Sequence, residues 1–179
     1  MLVLSASPGS SVSEILSGLP PQLKSRVLSL VYEEKFGFEK GGKSADLGGE
    51  ADRKLLLFLR DWADQLITTA TTAEAEEYRQ PSRPLILLTR RGHAANWLNA
   101  TRLRFEDKQL VEILKNKKTV FETGMTASRE LFEQGLFDQV LIHHDNEQFQ
   151  IELLRMDVVL STRISYHQRF ISLFERRGN

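Results

Sequence analysis

Leu55, Leu59, Trp62, Leu66, Ala70 and Ala73 recur at spacings of 4, 3, 4, 4 and 3, the repeat that lines one face of an α-helix, while Asp61, Asp64 and Gln65 fall elsewhere. The spacing predicts a helix from Glu50 to about Tyr78, roughly 43 Å long at about 1.5 Å per residue. Pro81 and Pro84 end it, because proline lacks a backbone donor and disfavours the helical region in the residue before it. A stripe of this length must be covered, either by another part of the chain or by a partner.

Around this element the rest of the chain reads as short helices joined by loops. Residues 1–20 are rich in Ser, Gly and Pro and are expected to form a flexible leader. After Pro20 and Pro21, Leu23, Val27, Leu28, Leu30 and Val31 place apolar groups along a short helix that ends near Phe36. Gly37, Gly41, Gly42, Gly48 and Gly49 bracket a loop over Phe38 to Leu47. Beyond the long helix, residues 79–102 form a long loop in which Leu85 to Thr89 is either a buried strand or an apolar turn. Arg102 to Asp107 alternates with period two, and Leu110, Val111, Ile113 and Leu114 mark a third helix with Lys115, Lys117 and Lys118 at the end its dipole prefers. Met125, Leu131 and Phe132 suggest a further helix between Thr123 and Gly135.

From Asp138 to Arg177 two periods compete. Phe149, Leu153, Met156, Leu160, Ile164, His167 and Phe174 fit one helical face, whereas Phe149 to Leu153 alternates and Val158, Val159, Thr162 and Ile164 are β-branched. The helical period persists longer, so residues 119–179 are expected to be a helical extension of a core spanning 21–118. The expected fold is therefore mainly α. The alternative is α+β, with strands near 85–89 and 149–164.

Composition removes several mechanisms. The chain has no cysteine, which excludes disulfides, thiolate zinc sites and a cysteine nucleophile. No run approaches the ~18 apolar residues of a membrane span, and no basic region precedes the first apolar run as in a signal peptide, so no membrane partner is expected. Basic and acidic residues balance at 24 each, but unevenly: residues 50–78 hold three basic against seven acidic, and residues 79–118 hold ten basic against three acidic. Such asymmetry suggests a face for phosphates or an acidic partner, with a solvated loop as the plainer reading. The candidate contacts are Arg90, Arg91, Trp97, Arg102, Arg104, Lys115, Lys117 and Lys118. One aromatic among many cations favours nucleic-acid backbone contact over base reading.

Catalytic signatures are absent. His143-His144-Asp145 with Glu147 lacks the Glu-x-x-His spacing of a carboxylate di-metal bundle, and no metal or cofactor is expected. Gly41-Gly42-Lys43-Ser44 resembles only the second half of a phosphate-binding loop and reads as a connector. There is no Gly-x-Ser-x-Gly elbow.

Leu23-Lys24-Ser25-Arg26-Val27-Leu28-Ser29-Leu30-Val31-Tyr32, the entry Leu47-Gly48-Gly49-Glu50-Ala51 with the stripe behind it, and Leu103-Arg104-Phe105-Glu106-Asp107-Lys108-Gln109-Leu110-Val111-Glu112-Ile113-Leu114 together resemble the three helices of histone-fold subunits, such as centromere protein X and histone-fold transcription factors. The loop from about Tyr78 to Thr101 is longer than that family's, and some 60 residues follow the third helix. The resemblance implies a non-enzymatic, nuclear subunit of a chromatin or transcription complex. It would pair with another histone-fold chain, or with a second copy, through Leu55, Leu59, Trp62 and Leu66, and touch DNA phosphates through the basic segment. A self-contained helical adaptor is the alternative function, with a cytoplasmic location, and a small α+β enzyme around His143 and His144 is the third.

Overall fold

The structure is a computed structural model that describes residues 2–5, 12–40, 43–44, 46–90, 95–166 and 169–178. Its strands are β1 (Leu2–Ser5), β2 (Arg26–Tyr32), β3 (Gln65–Thr69), β4 (Leu85–Leu88), β5 (Thr101–Leu103), β6 (Thr119–Glu122), β7 (Gln139–His144), β8 (Val158–Tyr166) and β9 (Arg169–Arg176). Its helices are α1 (Val12–Ser17), α2 (Gly49–Trp62), α3 (Ala70–Ala75), α4 (Gln109–Leu114) and α5 (Met125–Glu133). Among the described residues these strands join one sheet in the order β1-β8-β9-β7-β2-β6-β3-β4-β5. From β7 to β5 neighbouring strands are parallel, and β9 runs antiparallel to both β7 and β8.

Parallel strands covered on both faces carry apolar residues on both, so their sequences read as continuous apolar runs. Here successive residues go to opposite cores. Val27, Leu66, Leu85, Leu87, Val120 and Leu141 pack in one cluster with α1, α2 and α3, while Leu28, Ile67, Ile86, Leu88, Phe121, Val140 and Ile142 pack in the other with α4 and α5. Every residue of β3, β4, β6 and β7 is buried.

This architecture overturns the mainly-α, histone-fold expectation. The first expected helix is strand β2, whose Val27 and Leu28 are fully buried on opposite faces. The expected long helix is three elements. Helix α2 stops at Trp62, where Ala63 turns extended (ψ 150°); β3 and α3 follow. Leu55, Leu59 and Trp62 lie on α2 but Leu66 lies on β3, and all four contribute to one core cluster inside this chain. That packing replaces the crossed helices of a histone-fold partner or homodimer: the stripe is covered by the chain's own sheet.

The C-terminal helical extension is likewise corrected. Residues from Asp138 onward form β7, a 3-10 turn at Ile151–Leu154, and the hairpin pair β8 and β9, which the β-branched residues favour. The α+β alternative placed strands near 85–89 and 149–164; β4 occupies the first position, while the second is 3-10 turn before it becomes β8. The helices expected at 110–114 and between Thr123 and Gly135 are α4 and α5. No helix among the described residues is long and apolar enough to cross a membrane.

Candidate functional site

Strand β2 leads outward through β3, β4 and β5, and the chain then returns to place β6 and β7 on either side of β2. In open α/β sheets the crevice beyond the carboxyl ends of strands at such a reversal is where ligands bind. An open cleft of about 1020 Å³ lies at that place.

Three of its walls are strand ends that finish in threonine. Thr69 is the last residue of β3, Thr89 follows β4, Thr123 follows β6, and all three are buried. The Thr69 hydroxyl accepts from the Thr72 N–H (3.0 Å), capping α3, and donates to Thr72 Oγ1 (2.9 Å). Thr72 Oγ1 in turn accepts the Gly124 N–H (3.1 Å), joining the turn after β3 to the turn after β6. Having accepted two hydrogen bonds, Thr72 keeps its own hydroxyl proton for a ligand. Ser128 tightens the second turn by donating to the carbonyls of Thr123 and Gly124.

Gly124 is the N-cap of α5 and brings no side chain to it, and the first turn of α5 holds no acidic residue. A β-carbon at Gly124 would meet only Thr72 Oγ1, at 3.8 Å. The positive end of the helix dipole thus faces the cleft without a covalently attached anion. Arg90, just past β4, stands beside α5, where it pairs with Glu130 (2.5 Å) and stacks its guanidinium on Phe105 (5.3 Å).

The floor is ionic. Arg60 donates through Nε and Nη2 to the two carboxylate oxygens of Glu122 (2.8 and 2.6 Å), and the Tyr78 hydroxyl donates to Glu122 Oε2 (2.5 Å). Burial first, and then the Glu122 charge, push the Tyr78 hydroxyl far above its usual range. Burial pulls Arg60 down, but its bonds and charge pairing with Glu122 more than offset this. Arg60 therefore keeps its charge and Tyr78 its proton in the physiological range.

On the far side of β2, Asp52 in α2 lines the cleft and accepts from His143 Nδ1 at 3.0 Å. An ionised carboxylate has no hydrogen to give, so the imidazole supplies it. His143 is fully buried and Asp52 keeps 20% of its side chain exposed. Gly48, at φ +73°, makes this approach feasible: a β-carbon there would lie 2.3 Å from Asp52 Cβ and 2.9 Å from Val31 Cγ2.

His143 and His144 are thus not the solvated start of a helix. Both are buried in β7 and face opposite cores, His144 between Phe149 and Phe170 with Nδ1 on the Asn146 carbonyl (2.7 Å) and Nε2 accepting from Ser172 (2.8 Å). Burial pushes His144 down to about 4. Among the described residues no group of three His, Asp or Glu is placed to hold a metal.

The basic segment does not form one face. Arg90 lies past the carboxyl end of β4, whereas Lys115, Lys117 and Lys118 precede β6, at the opposite end of the same parallel strands. Lys115 pairs with Glu112, Lys117 reaches Gln65 (3.5 Å), and Lys118 lies over the Trp62 ring. Arg102 is spent on the carbonyls of Ala95, Leu98 and Ala100. Arg104 is exposed, and Trp97 is 58% exposed with its indole N–H on the Tyr78 carbonyl. Arg91, His93, His167 and the glycines of Gly41-Gly42 lie outside the described residues, while Lys43 and Ser44 bond Glu77 and Glu76. With the cations at two ends of the sheet, a continuous track for nucleic-acid phosphates is lost. Of the residues that sequence reasoning missed, Thr69, Thr72, Thr89, Thr123 and Gly124, Thr89 directly follows the apolar run Leu85 to Leu88, and Thr69 and Thr123 stand two positions past Leu66-Ile67 and Val120-Phe121.

No protein-family model matches the sequence, and no curated protein matches it. Solved structures do match the fold. A pyrimidine reductase-like protein from Corynebacterium diphtheriae superposes with a TM-score of 0.64 at 15% identity, over 93% of this chain and 98% of that one. RibD from Acinetobacter baumannii superposes at 0.61 and 15% identity, over 85% of this chain; the chain spans 58% of that protein. Dihydrofolate reductase from Enterococcus faecalis, complexed with NADP(H) and RAB-propyl, superposes at 0.55 and 15% identity over 87% of this chain and 98% of that one. The expectation of a non-enzymatic nuclear subunit rested on the histone-fold resemblance and falls with it, since the proteins that share this architecture carry the names of reductases. At 15% identity the likeness shows that this chain has the fold of the RibD-like and dihydrofolate reductase-like proteins.

Proposed function

We propose that the protein is a soluble, cytoplasmic reductase that binds a nicotinamide dinucleotide across the strand reversal and reduces a small unsaturated substrate beside it. The observation that carries this reading is the meeting of the side-chain-free N-terminus of α5 with the Thr69–Thr72 hydroxyls, in a fold shared with a protein solved with NADP(H). When bound, a reduced nicotinamide supplies a hydride to an electron-poor carbon.

The residues present suit such a group. The first turn of α5 and the Thr72 hydroxyl offer neutral donors for phosphate oxygens, and Arg90 offers a cation beside them. Glu122, the acid nearest the floor, is neutralised by Arg60. Glu74 and Glu76 at the outer rim are engaged by the Ala95 N–H and by Ser44, and Glu77 by Lys43. Leu88 and Phe105 provide apolar wall for a flat ring.

The test is a titration of the purified protein with NADPH and NADH, followed by nicotinamide fluorescence at low and physiological salt. Saturable binding in the micromolar range, weakened by salt, is expected. Absence of saturation by either dinucleotide at millimolar concentration and low salt would remove the reading.

A further inference from the structure

The half of the cleft against α5 carries one soft sulfur. The chain has no cysteine and three methionines, of which Met1 lies outside the described residues. Met125 is the first residue of α5, lines the cleft, and is half-buried against the core cluster on that side of the sheet. Met156, between the 3-10 turn and β8, packs against the same cluster and does not line the cleft.

The place of Met125 on the helix decides what oxidation of its sulfur does. The Ser128 N–H makes the first intrahelical bond, to the Gly124 carbonyl (2.9 Å). The N–H groups of Met125, Thr126 and Ala127 precede it, and the helix itself offers them no carbonyl. Gly124 at the N-cap brings no side chain to them, and the first turn holds no acid. Helical side chains lean toward the N-terminal end of their helix, so the thioether at this first position leans toward the positive end of α5. A thioether is neutral and a weak acceptor, and it leaves those N–H groups to a phosphate. A sulfoxide is polar and presents a partly negative oxygen, which competes with phosphate for the same donors.

We propose that Met125 is a reversible oxidation site, and that its sulfoxide, by occupying the end of α5, switches off dinucleotide binding. In the step a sulfur lone pair attacks one oxygen of hydrogen peroxide. The O–O bond breaks as the S–O bond forms, the proton on the transferred oxygen passes to the departing hydroxide, and water leaves. Sulfur gives up two electrons and peroxide takes them. The chain has no thiol to take the oxidant first. A phosphate seated on the same N–H groups covers the sulfur, so ligand and modification exclude each other. The proposal rests on the reductase reading for the identity of the ligand, and not for the chemistry at sulfur.

The experiment treats the full chain with hydrogen peroxide, locates the added oxygen by peptide mass mapping, and repeats the NADPH titration. Oxygen on Met125 should weaken NADPH about tenfold or more, and the two stereospecific methionine sulfoxide reductases together should restore the affinity. In Met125→Leu the ratio of affinities before and after peroxide should be about one, whereas in Met156→Leu it should match that of the native chain. Saturating NADPH should shield Met125 from peroxide and leave Met156 unshielded. No oxygen on Met125, oxygen on Met125 with the affinity unchanged, an equal loss in Met125→Leu, or a loss that accompanies unfolding by circular dichroism would each overturn the proposal. Failure of NADPH to bind the untreated chain removes the reductase reading instead. Inorganic pyrophosphate at millimolar concentration is then the probe: shielding of Met125 supports the oxidation site, and its absence overturns it.

Discussion

Arg60 and Glu122 face each other across the floor of the cleft through two parallel bonds of 2.8 and 2.6 Å, one partner from the last turn of α2 and the other from the final residue of β6. Glu122 keeps only 9% of its side chain exposed and Arg60 24%. Removing one member strands the other. Arg60→Met should therefore cost about 3 kcal/mol or more, the usual loss on breaking a buried pair, measured as the shift in urea midpoint at constant slope. A loss below about 1 kcal/mol would mean the pair behaves as a surface bridge.

His144 makes stability depend on pH. Its folded pKa is lowered to about 4, against about 6.5 in the unfolded chain, so between these values the unfolded state holds the extra proton. Stability is complete above pH ~6.5, falls as the pH is lowered toward ~4, and levels off below, for a total on the order of 3 kcal/mol. The measurement compares urea unfolding of the native chain and His144→Gln at pH 7.5 and 4.5. The native chain should lose more stability, and equal losses would show that His144 titrates normally.

Gly48 and Gly37 share a φ of +73° but not their surroundings, which makes them a matched pair. Gly37→Ala meets nothing within 4 Å and should cost about 1 kcal/mol, the penalty of the left-handed backbone alone. Gly48→Ala adds a β-carbon 2.3 Å from Asp52 Cβ and should cost clearly more, while displacing Asp52. Thermal unfolding of the two variants side by side tests this, and equal melting temperatures would refute the close approach.

The dinucleotide half has its own pair of variants. Thr72→Val keeps the shape but deletes the hydroxyl that joins the two turns, and should weaken NADPH binding about tenfold. Arg90→Ala should weaken it about threefold to tenfold and make binding less sensitive to salt, because Arg90 is the exposed cation beside α5. Unchanged salt dependence in Arg90→Ala would place the phosphates elsewhere.

Part of this was legible in the amino acids. Helix α2 shows in Leu55, Leu59 and Trp62, and α4 and α5 show in their apolar positions and flanking polar turns. The misreading began at Leu66. Its spacing from Trp62 continues the helical stripe, and Ala70 and Ala73 continue it further, because β3 and α3 bury those residues in the same core cluster as α2. Period alone does not separate one long helix from three elements that share a core. Leu85 to Leu88 and Val120-Phe121 carry no alternation at all, since both faces of their strands are covered.

By itself the sequence determined which residues must leave water, where α2 begins after its glycines, and that no thiol chemistry is available. Tertiary structure decided everything that depends on adjacency. Thr69, Thr89 and Thr123 are separated by 20 and 34 positions in the chain and come to one rim because β3, β4 and β6 run parallel and end together. Asp52 and His143 are 91 residues apart and meet because α2 crosses over the β2–β7 pair. Local propensity acts over a few neighbouring residues, whereas strand order is settled by which apolar faces can be covered at once.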